Sequence, residues 1–332
     1  MSFFAVLFAL LIEQIKPLAA RNPVHEGLSG WVRWVGRNFD AGAREHANVV
    51  WAITVVGPAL LVALLSAWLD WLDNFSALLT FAWHVLVLYV TLGFRQFSHH
   101  FTDIRDALDQ GREDKARELL SEWRHLDVSD MPRDELLRHV LEYAFLAAHR
   151  HVFGVFFWYV VLAMLGLGPA GAVLYRMAEF THRYWTYRSH TTGENTHAGL
   201  MARAVQMFQW MDYVPVRLTA FGFAVVGNFE EVADSWRRFS GLWKQPNEGV
   251  ILAAAAGALG VRLGGQVAPA TGQDMPRTLT EGVDPEVLAA EGTTAGEPPR
   301  MDHLRSAVGL IWRSVVLWLL LLALLSLANR VG

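Results

Sequence analysis

The sequence predicts an all-α protein: a polytopic integral membrane helical bundle with cytoplasmic helical segments. Two apolar runs, residues 49–69 and 75–94, carry no formal charge and are separated by five residues. About 20 apolar residues in a helix span the hydrocarbon core of a bilayer, so this pair predicts a transmembrane hairpin. The composition agrees, because 53% of the residues are hydrophobic and only 18% are charged. That balance is too apolar for an ordinary soluble chain and too polar for one buried in lipid throughout.

Three further apolar runs, at about 3–20, 150–167 and 308–328, predict additional membrane helices. The first contains Glu13, which we expect to face protein or water because a carboxylate facing lipid is costly. No Lys or Arg precedes this run, which favours a retained membrane helix over a signal peptide. The last run contains a lone Arg313 in its first part.

The remaining segments of the predicted single domain, residues 1–332, are more polar. Residues 95–148 predict a cytoplasmic helical hairpin, and residues 170–265 a cytoplasmic or re-entrant segment. Residues 266–300 are rich in Gly, Pro and Thr without an apolar period, which predicts a loose loop.

Composition also limits the chemistry. The chain has no cysteine, which excludes disulfides, thiolate catalysis and cysteine-held clusters. Its net charge of −4 argues against nucleic acid as a partner, because phosphate binding needs a basic excess. The expected partners are the lipid bilayer and a small anionic ligand, and oligomerisation is left open.

One helix face is a candidate for chemistry. His139 and Glu142 share that face, and His149 lies near them two turns later. Imidazole and carboxylate can hold a metal or move a proton. No HExxH or other closed ligand set is present, so the metal ligands stay unknown. The simpler interpretation is that Glu142 pairs with Arg138 as a surface contact worth about 0.3–0.5 kcal/mol.

The glycine-rich run 257–265 and two arginines are open to two interpretations. The glycines could let the backbone approach a phosphate, but no P-loop pattern is present, which favours helix packing and a helix C-cap. Arg176 and Arg217 lie beside apolar stretches, where an arginine either extends to the membrane surface or binds a phosphate or carboxylate.

Three motifs carry a family resemblance: GPAGAVLYR (168–176), DYVPVRLTA (212–220) and NEGVILAAAAGALGVRLGG (247–265). Because it contains these three motifs, the chain resembles the CobD/CbiB family of membrane-bound cobalamin biosynthesis proteins. The resemblance implies adenosylcobinamide-phosphate synthesis at the bacterial inner (plasma) membrane. In that reaction aminopropanol or its phosphate forms an amide with a corrinoid carboxylate, with ATP and Mg²⁺ as the expected cofactors.

The resemblance also assigns residues. It makes Glu142 the catalytic candidate, to which the shared helix face adds His139. The matching positions for substrate or phosphate binding are Arg95, His100, Tyr175, Arg176, Arg217, Asn247, Gly249 and Arg262. We further expect Arg176, Arg217 and Arg262 to converge on one cytoplasm-facing pocket.

Some family positions differ in this chain. Leu146 and Ala147 stand where the family has Glu and Asn, and Glu179 and His182 occupy polar positions of the YR motif. Glu142, Glu179 and Glu13 are the acids that could replace the missing ones. The opening FFAVLFALLIEQ and the 212–236 stretch also resemble the AmpE-like relatives. Two hypotheses follow: a corrinoid amide ligase, or a non-catalytic AmpE-like sensor or regulatory protein of the inner membrane.

The loops that flank the hairpin are basic, and its turn is acidic. The positive-inside rule therefore predicts that both flanking loops are cytoplasmic and that the turn lies outside. Because the chain has no cysteine, single cysteines can be introduced at Leu72 and at Gln110. We expect an impermeant maleimide to label Leu72→Cys in intact cells and Gln110→Cys only after permeabilisation. The reverse pattern contradicts this topology.

Overall fold

The computed structural model describes residues 2–16, 23–39, 44–72, 76–124, 131–191, 198–265 and 293–331. Within these ranges the regular structure is helical, and the β-structure consists of two isolated bridges. The helices are α1 (Ser2–Ile15), α2 (Pro23–Phe39), α3 (Arg44–Trp71), α4 (Ser76–Thr91), α5 (Phe94–Asp109), α6 (Glu113–Arg124), α7 (Arg133–Ala148), α8 (Gly154–Met164), α9 (Ala170–Thr191), α10 (Ala198–Val226), α11 (Phe229–Phe239), α12 (Pro246–Leu259) and α13 (Met301–Val331). The predicted all-α fold is confirmed.

In the described part of the chain, three helices are long and apolar enough to cross a membrane. They are His46–Trp71, Arg133–Met164 and Met301–Ala328, and two shorter apolar helices cover Phe3–Ile15 and Ala77–Thr91. The second candidate differs from the predicted boundaries, because a π-helical turn (His149–Phe153) joins α7 to α8 without a break. Residues 133–148, predicted for the cytoplasmic hairpin, therefore continue into the helix predicted to start at 150.

The chain divides into two compact units. The first contains residues 1–96, 150–215 and 321–332, and the second contains residues 97–149 and 216–320. In the first unit, α8 and α3 pack on α9, and α1 packs on α4. Glu13, on α1, is 2% exposed, which confirms that this carboxylate faces protein.

In the second unit, α12 is the central helix. It packs against α11 and α7, and its side chains from Val250 to Ala256 are buried. Gly260, in the left-handed conformation with φ 65°, ends the helix and confirms the predicted C-cap.

The segment after this cap pairs with residues that were predicted to be loose. Val261 and Gly264 form bridges with Glu297 and Thr293. The Leu263 amide donates to Thr294 Oγ1 over 2.8 Å, and the Thr294 amide donates to the Leu263 carbonyl over 2.9 Å. The prediction of a loose loop is wrong for residues 293–297, because Thr294 supplies side-chain and backbone partners. Residues 266–292 lie outside the described ranges.

The close approach of α8 and α9 depends on Gly171. A Cβ at Gly171 would collide with the Trp158 carbonyl, a backbone atom that cannot move aside. We expect Gly171→Ala to lower the free energy of unfolding by about 1–3 kcal/mol, as overpacking does in other cores. Thermal unfolding in detergent, followed by circular dichroism, measures the change.

The matched control is Gly30→Ala on α2, where a Cβ meets nothing within 4 Å. Alanine is the better helix former by about 0.5–1 kcal/mol, so this variant should be at least as stable as the parent. Equal effects of the two substitutions would contradict the packing argument.

Candidate functional site

Two polar clusters, one in each unit, contain several of the charged residues singled out from the sequence. We call the first the Glu179 cluster; it consists of Glu179 with Arg150, His151, Arg176 and Arg183. We call the second the Glu142 clamp; it consists of Glu142 with Arg138, His139 and Gly264. Each is described within its own unit.

The Glu179 cluster places a buried carboxylate among cations. Glu179 is 3% exposed, and Arg176 Nη1 donates to its Oε2 over 2.9 Å. Arg183 Nε lies 3.5 Å from the other oxygen, Oε1. Helical spacing brings these groups together, because residues three positions before and four positions after Glu179 lie on its face of α9.

Several basic groups lie near the Glu179 carboxylate. Burial alone would raise the pKa of its carboxyl, but the nearby Arg183, Arg176, His151 and Arg150 hold the pKa well below its ordinary value. Glu179 is therefore ionised at neutral pH, with three arginines near it. Arginine offers planar, two-pronged donation to a phosphate or carboxylate, which makes the cluster a candidate anion site.

The π-helical turn contributes His151 to the same cluster. The Nδ1 atom of His151 is buried and has no hydrogen-bond partner in the described part of the chain. Turns of this kind inside α-helices are frequent at functional sites. His151 thus offers one more polar atom beside the arginines.

Next to this cluster, Tyr175 is held by a residue that sequence reasoning missed. Its hydroxyl donates to Asp212 Oδ1 over 2.8 Å, and both side chains are buried. Burial, together with the Asp212 charge and this hydrogen bond, raises the pKa of Tyr175 well above its ordinary value. The hydroxyl therefore stays protonated and ties α9 to α10. The only sequence signal for Asp212 was its place at the start of the DYVPVRLTA motif.

The Glu142 clamp forms hydrogen bonds to both the backbone amide and the backbone carbonyl of Gly264. Glu142 Oε1 accepts the Gly264 amide hydrogen over 2.7 Å, and Arg138 Nη1 donates to the Gly264 carbonyl over 2.8 Å. Arg138 and Glu142 are one helical turn apart on α7, with Nε and Oε1 separated by 3.8 Å. The pair therefore fixes the backbone that follows the C-cap of α12.

The prediction that Arg138 and Glu142 form a surface contact is wrong, because both side chains are buried. Arg138 and Glu142 are 9% and 8% exposed, because residues 261–265 cover them. Removing one member of a buried ion pair costs about 3–5 kcal/mol, roughly ten times the value for an exposed helix pair.

The histidines of the predicted face are used differently. His139 Nδ1 lies 3.6 Å from Glu142 Oε2, within ion-pair distance but beyond hydrogen-bond distance. His149 Nδ1 is instead 3.0 Å from Thr219 Oγ1. Within the described ranges, no group of three or more His, Asp or Glu side chains could hold a metal ion.

The other predicted binding residues have varied surroundings. His100 stacks on Trp123, and burial lowers its pKa. Asn247 is buried, and Gly249 lies against the Ser240 carbonyl. The side chain of Arg95 lies outside the described part of the chain.

Two of the predicted arginines belong to the second unit. Arg217 is half-buried, whereas Arg262 is exposed and donates to the Gly296 carbonyl over 3.4 Å. Arg176 belongs to the first unit. The convergence of these three arginines on one pocket stays a prediction.

These features define a helical membrane protein with buried, arginine-compensated carboxylates. The family model described as CobD/Cbib protein matches residues 3–288, and the chain belongs to the CobD/CbiB family. It is 29% identical to the cobalamin biosynthesis protein CobD of Stutzerimonas stutzeri, over 96% of both chains. It is 31% identical to that of Chromobacterium violaceum, over 67% of this chain and 69% of the relative. No solved structure matches.

The family prediction is thus confirmed. The alternative, an AmpE-like sensor or regulatory protein, is not favoured, because these relatives are named as cobalamin biosynthesis proteins.

The clamp geometry predicts different effects for two substitutions of Glu142. Glu142→Leu leaves the buried Arg138 and the Gly264 amide without their partner, so it should destabilise the fold by about 3–5 kcal/mol. Glu142→Gln keeps an acceptor for the Gly264 amide and should cost about 1–3 kcal/mol. Thermal unfolding in detergent compares the two.

The control for this pair is Asp134→Asn, an exposed acid in the first turn of the same helix. It should change stability by no more than about 1 kcal/mol. A Leu variant as stable as the Gln variant would show that Glu142 does not hold the backbone.

Proposed function

We propose that this chain is the membrane-bound amide ligase of cobalamin biosynthesis that joins aminopropanol or its phosphate to adenosylcobyric acid. Family membership supports the pathway, because the relatives are named as cobalamin biosynthesis proteins. In this proposal the protein acts at the bacterial inner membrane with its polar segments mostly in the cytoplasm. Its soluble partner is an anionic corrinoid.

The observation that carries the proposal is the group of three arginines around the buried Glu179 carboxylate. Arg150, Arg176 and Arg183 surround one ionised carboxylate. Arginine binds carboxylate and phosphate in two-pronged fashion, and the proposed substrates supply both groups. Arg176 is the best-placed donor, because it is fixed by Glu179 and belongs to the GPAGAVLYR motif.

Fixed arginines contribute to amide formation by orientation. A carboxylate or phosphate bound in two-pronged fashion has one allowed position, which reduces the entropy lost when the amine approaches. The arginines also stabilise negative charge that develops on oxygen during the transfer.

ATP and Mg²⁺ belong to the proposal only through the family resemblance. The arginines fit a polyphosphate, whereas the described acids do not fit a protein-held Mg²⁺. No three of the described His, Asp and Glu side chains converge, and Glu142 and Glu179 are already engaged by arginines.

Glu142 and His139 are proposed as the proton-transfer pair. Glu142 Oε1 holds the Gly264 amide, while Oε2 faces His139 Nδ1 at 3.6 Å. One carboxylate can therefore hold the backbone with one oxygen and serve as a proton acceptor with the other.

Complementation of a strain that lacks adenosylcobinamide-phosphate synthase tests the function. The unmutated chain should restore cobalamin-dependent growth. Arg176→Gln should abolish this growth, or reduce synthesis at least about tenfold, because it removes the charge that binds the anion. Immunoblots of the membrane fraction check that the variant is inserted and equally abundant.

The matched control is Arg203→Gln on α10, whose guanidinium donates to the neutral Gln206 side chain. It should support growth like the parent. Failure of the unmutated chain to complement, despite normal abundance, would overturn the proposed function. Full growth with Arg176→Gln would remove the Glu179 cluster from it.

The same strain separates two roles of Glu142. If Glu142 transfers a proton, Glu142→Gln abolishes growth although the variant remains folded and abundant. If Glu142 only holds Gly264, Glu142→Gln retains growth, since the amide oxygen can still accept the Gly264 hydrogen bond.

A further inference from the structure

Arg313 is a cation on the outer face of a candidate membrane helix. Only 28% of the most apolar window of Met301–Ala328 is buried within the protein. Val316, Leu320 and Leu324 are each more than half exposed, and helical spacing places Arg313 beside them. Arg313 is itself exposed, so its charge lies on the surface that we expect to meet lipid.

The side chain of Arg313 is directed towards the near end of the apolar run. Its Nε donates to the Gly309 carbonyl over 3.2 Å, one turn towards the helix N-terminus. Side chains on a helix lean in this direction, and long cationic ones reach the membrane surface in this way. The guanidinium therefore lies near the level where residue 308 begins the apolar run, which is where headgroup phosphates are expected.

No acid compensates this charge in the described ranges. The bond to Gly309 is the one polar contact of Arg313 there. Arg305, two turns earlier, shows the contrast, because it is paired with Asp109 and Asp302. An arginine without a carboxylate partner at the edge of the lipid favours an anion from outside the protein.

Space for a ligand adjoins the guanidinium. A Cβ built on Gly309 meets nothing within 4 Å, so the position one turn below Arg313 is open. A groove of about 490 Å³ lies alongside, lined by Val226, Trp312, Arg313, Val316 and Leu317. Its walls are apolar except for the guanidinium and the indole, and tryptophan is typical of the membrane interface.

We propose that Arg313 and Gly309 form a binding site for the phosphate of an anionic phospholipid, with one acyl chain in the adjoining groove. The uncompensated charge selects an anionic headgroup over a zwitterionic one, and the guanidinium can bind the phosphate in two-pronged fashion. The groove is apolar and lies along a helix long enough to cross the membrane. It can therefore hold an acyl chain, which favours a lipid over free phosphate. This site is independent of the proposed enzymatic function.

Native mass spectrometry of the delipidated protein in detergent tests the site. The probes are dioleoylphosphatidylglycerol and dioleoylphosphatidylcholine, which share the same chains. We expect the unmutated protein to bind the anionic lipid about tenfold more tightly, and Arg313→Gln to abolish this preference. Arg313→Lys should retain most of it. Gly309→Leu should weaken binding of the anionic lipid by filling the open space while leaving the charge.

The matched control is Arg112→Gln, which removes an exposed arginine from the turn between α5 and α6. It should keep the full preference. An Arg313→Gln variant that keeps the preference, or an equal loss in Arg112→Gln, would overturn the proposal. So would displacement of the anionic lipid by millimolar inorganic phosphate. If Arg313→Gln changes only the oligomeric state of the lipid-free protein, the groove binds a second copy of the chain. That result would also overturn the proposal.

Discussion

Two buried carboxylates, Glu142 and Glu179, determine how polar groups are arranged in this mostly apolar protein. An isolated ion cannot remain charged in a low-dielectric interior, so each carboxylate needs a cation or hydrogen-bond donors within a few ångströms. In both cases an arginine on the same helix supplies that charge. The surroundings then differ, because Glu142 also binds a backbone amide whereas Glu179 is surrounded by further arginines.

That difference is the basis for proposing a positioning role for Glu142 and a binding role for the Glu179 cluster. The Glu142 clamp engages both the amide and the carbonyl of Gly264, while Arg138 Nε and Nη2 are buried without a hydrogen-bond partner in the described part of the chain. Its main effect is to fix the chain after α12. In the Glu179 cluster three arginines lie near one ionised carboxylate, and arginine can bind a carboxylate or phosphate in two-pronged fashion. The anion site that we propose is therefore at Glu179, whereas Glu142 retains one oxygen beside His139.

A small residue allows α8 and α9 to pack closely near the Glu179 cluster. At Gly171 the backbone of α8 comes so near that no side chain fits, and this approach brings α8 and α9 together just before Tyr175 and Arg176. Packing through small residues is common where lipid gives no hydrophobic driving force between helices. The motif GPAGAVLYR thus combines a packing residue, Gly171, with two polar ones, Tyr175 and Arg176.

The sequence by itself determined the all-α membrane class, because uncharged runs of about 20 residues have few other stable structures. It also determined the family through three motifs and the C-cap at Gly260 through glycine's tolerance of positive φ. Helical spacing alone also places Arg176 and Arg183 on the face of Glu179, although we did not predict that grouping from the sequence. Only the tertiary structure showed that Arg138 and Glu142 are buried. The segment that covers them follows 122 residues later, and such a separation leaves no periodic pattern. The pairing of Tyr175 with Asp212, and of Leu263 with Thr294, was hidden for the same reason: hydrogen bonds between distant segments depend on how helices pack, which local propensity does not encode.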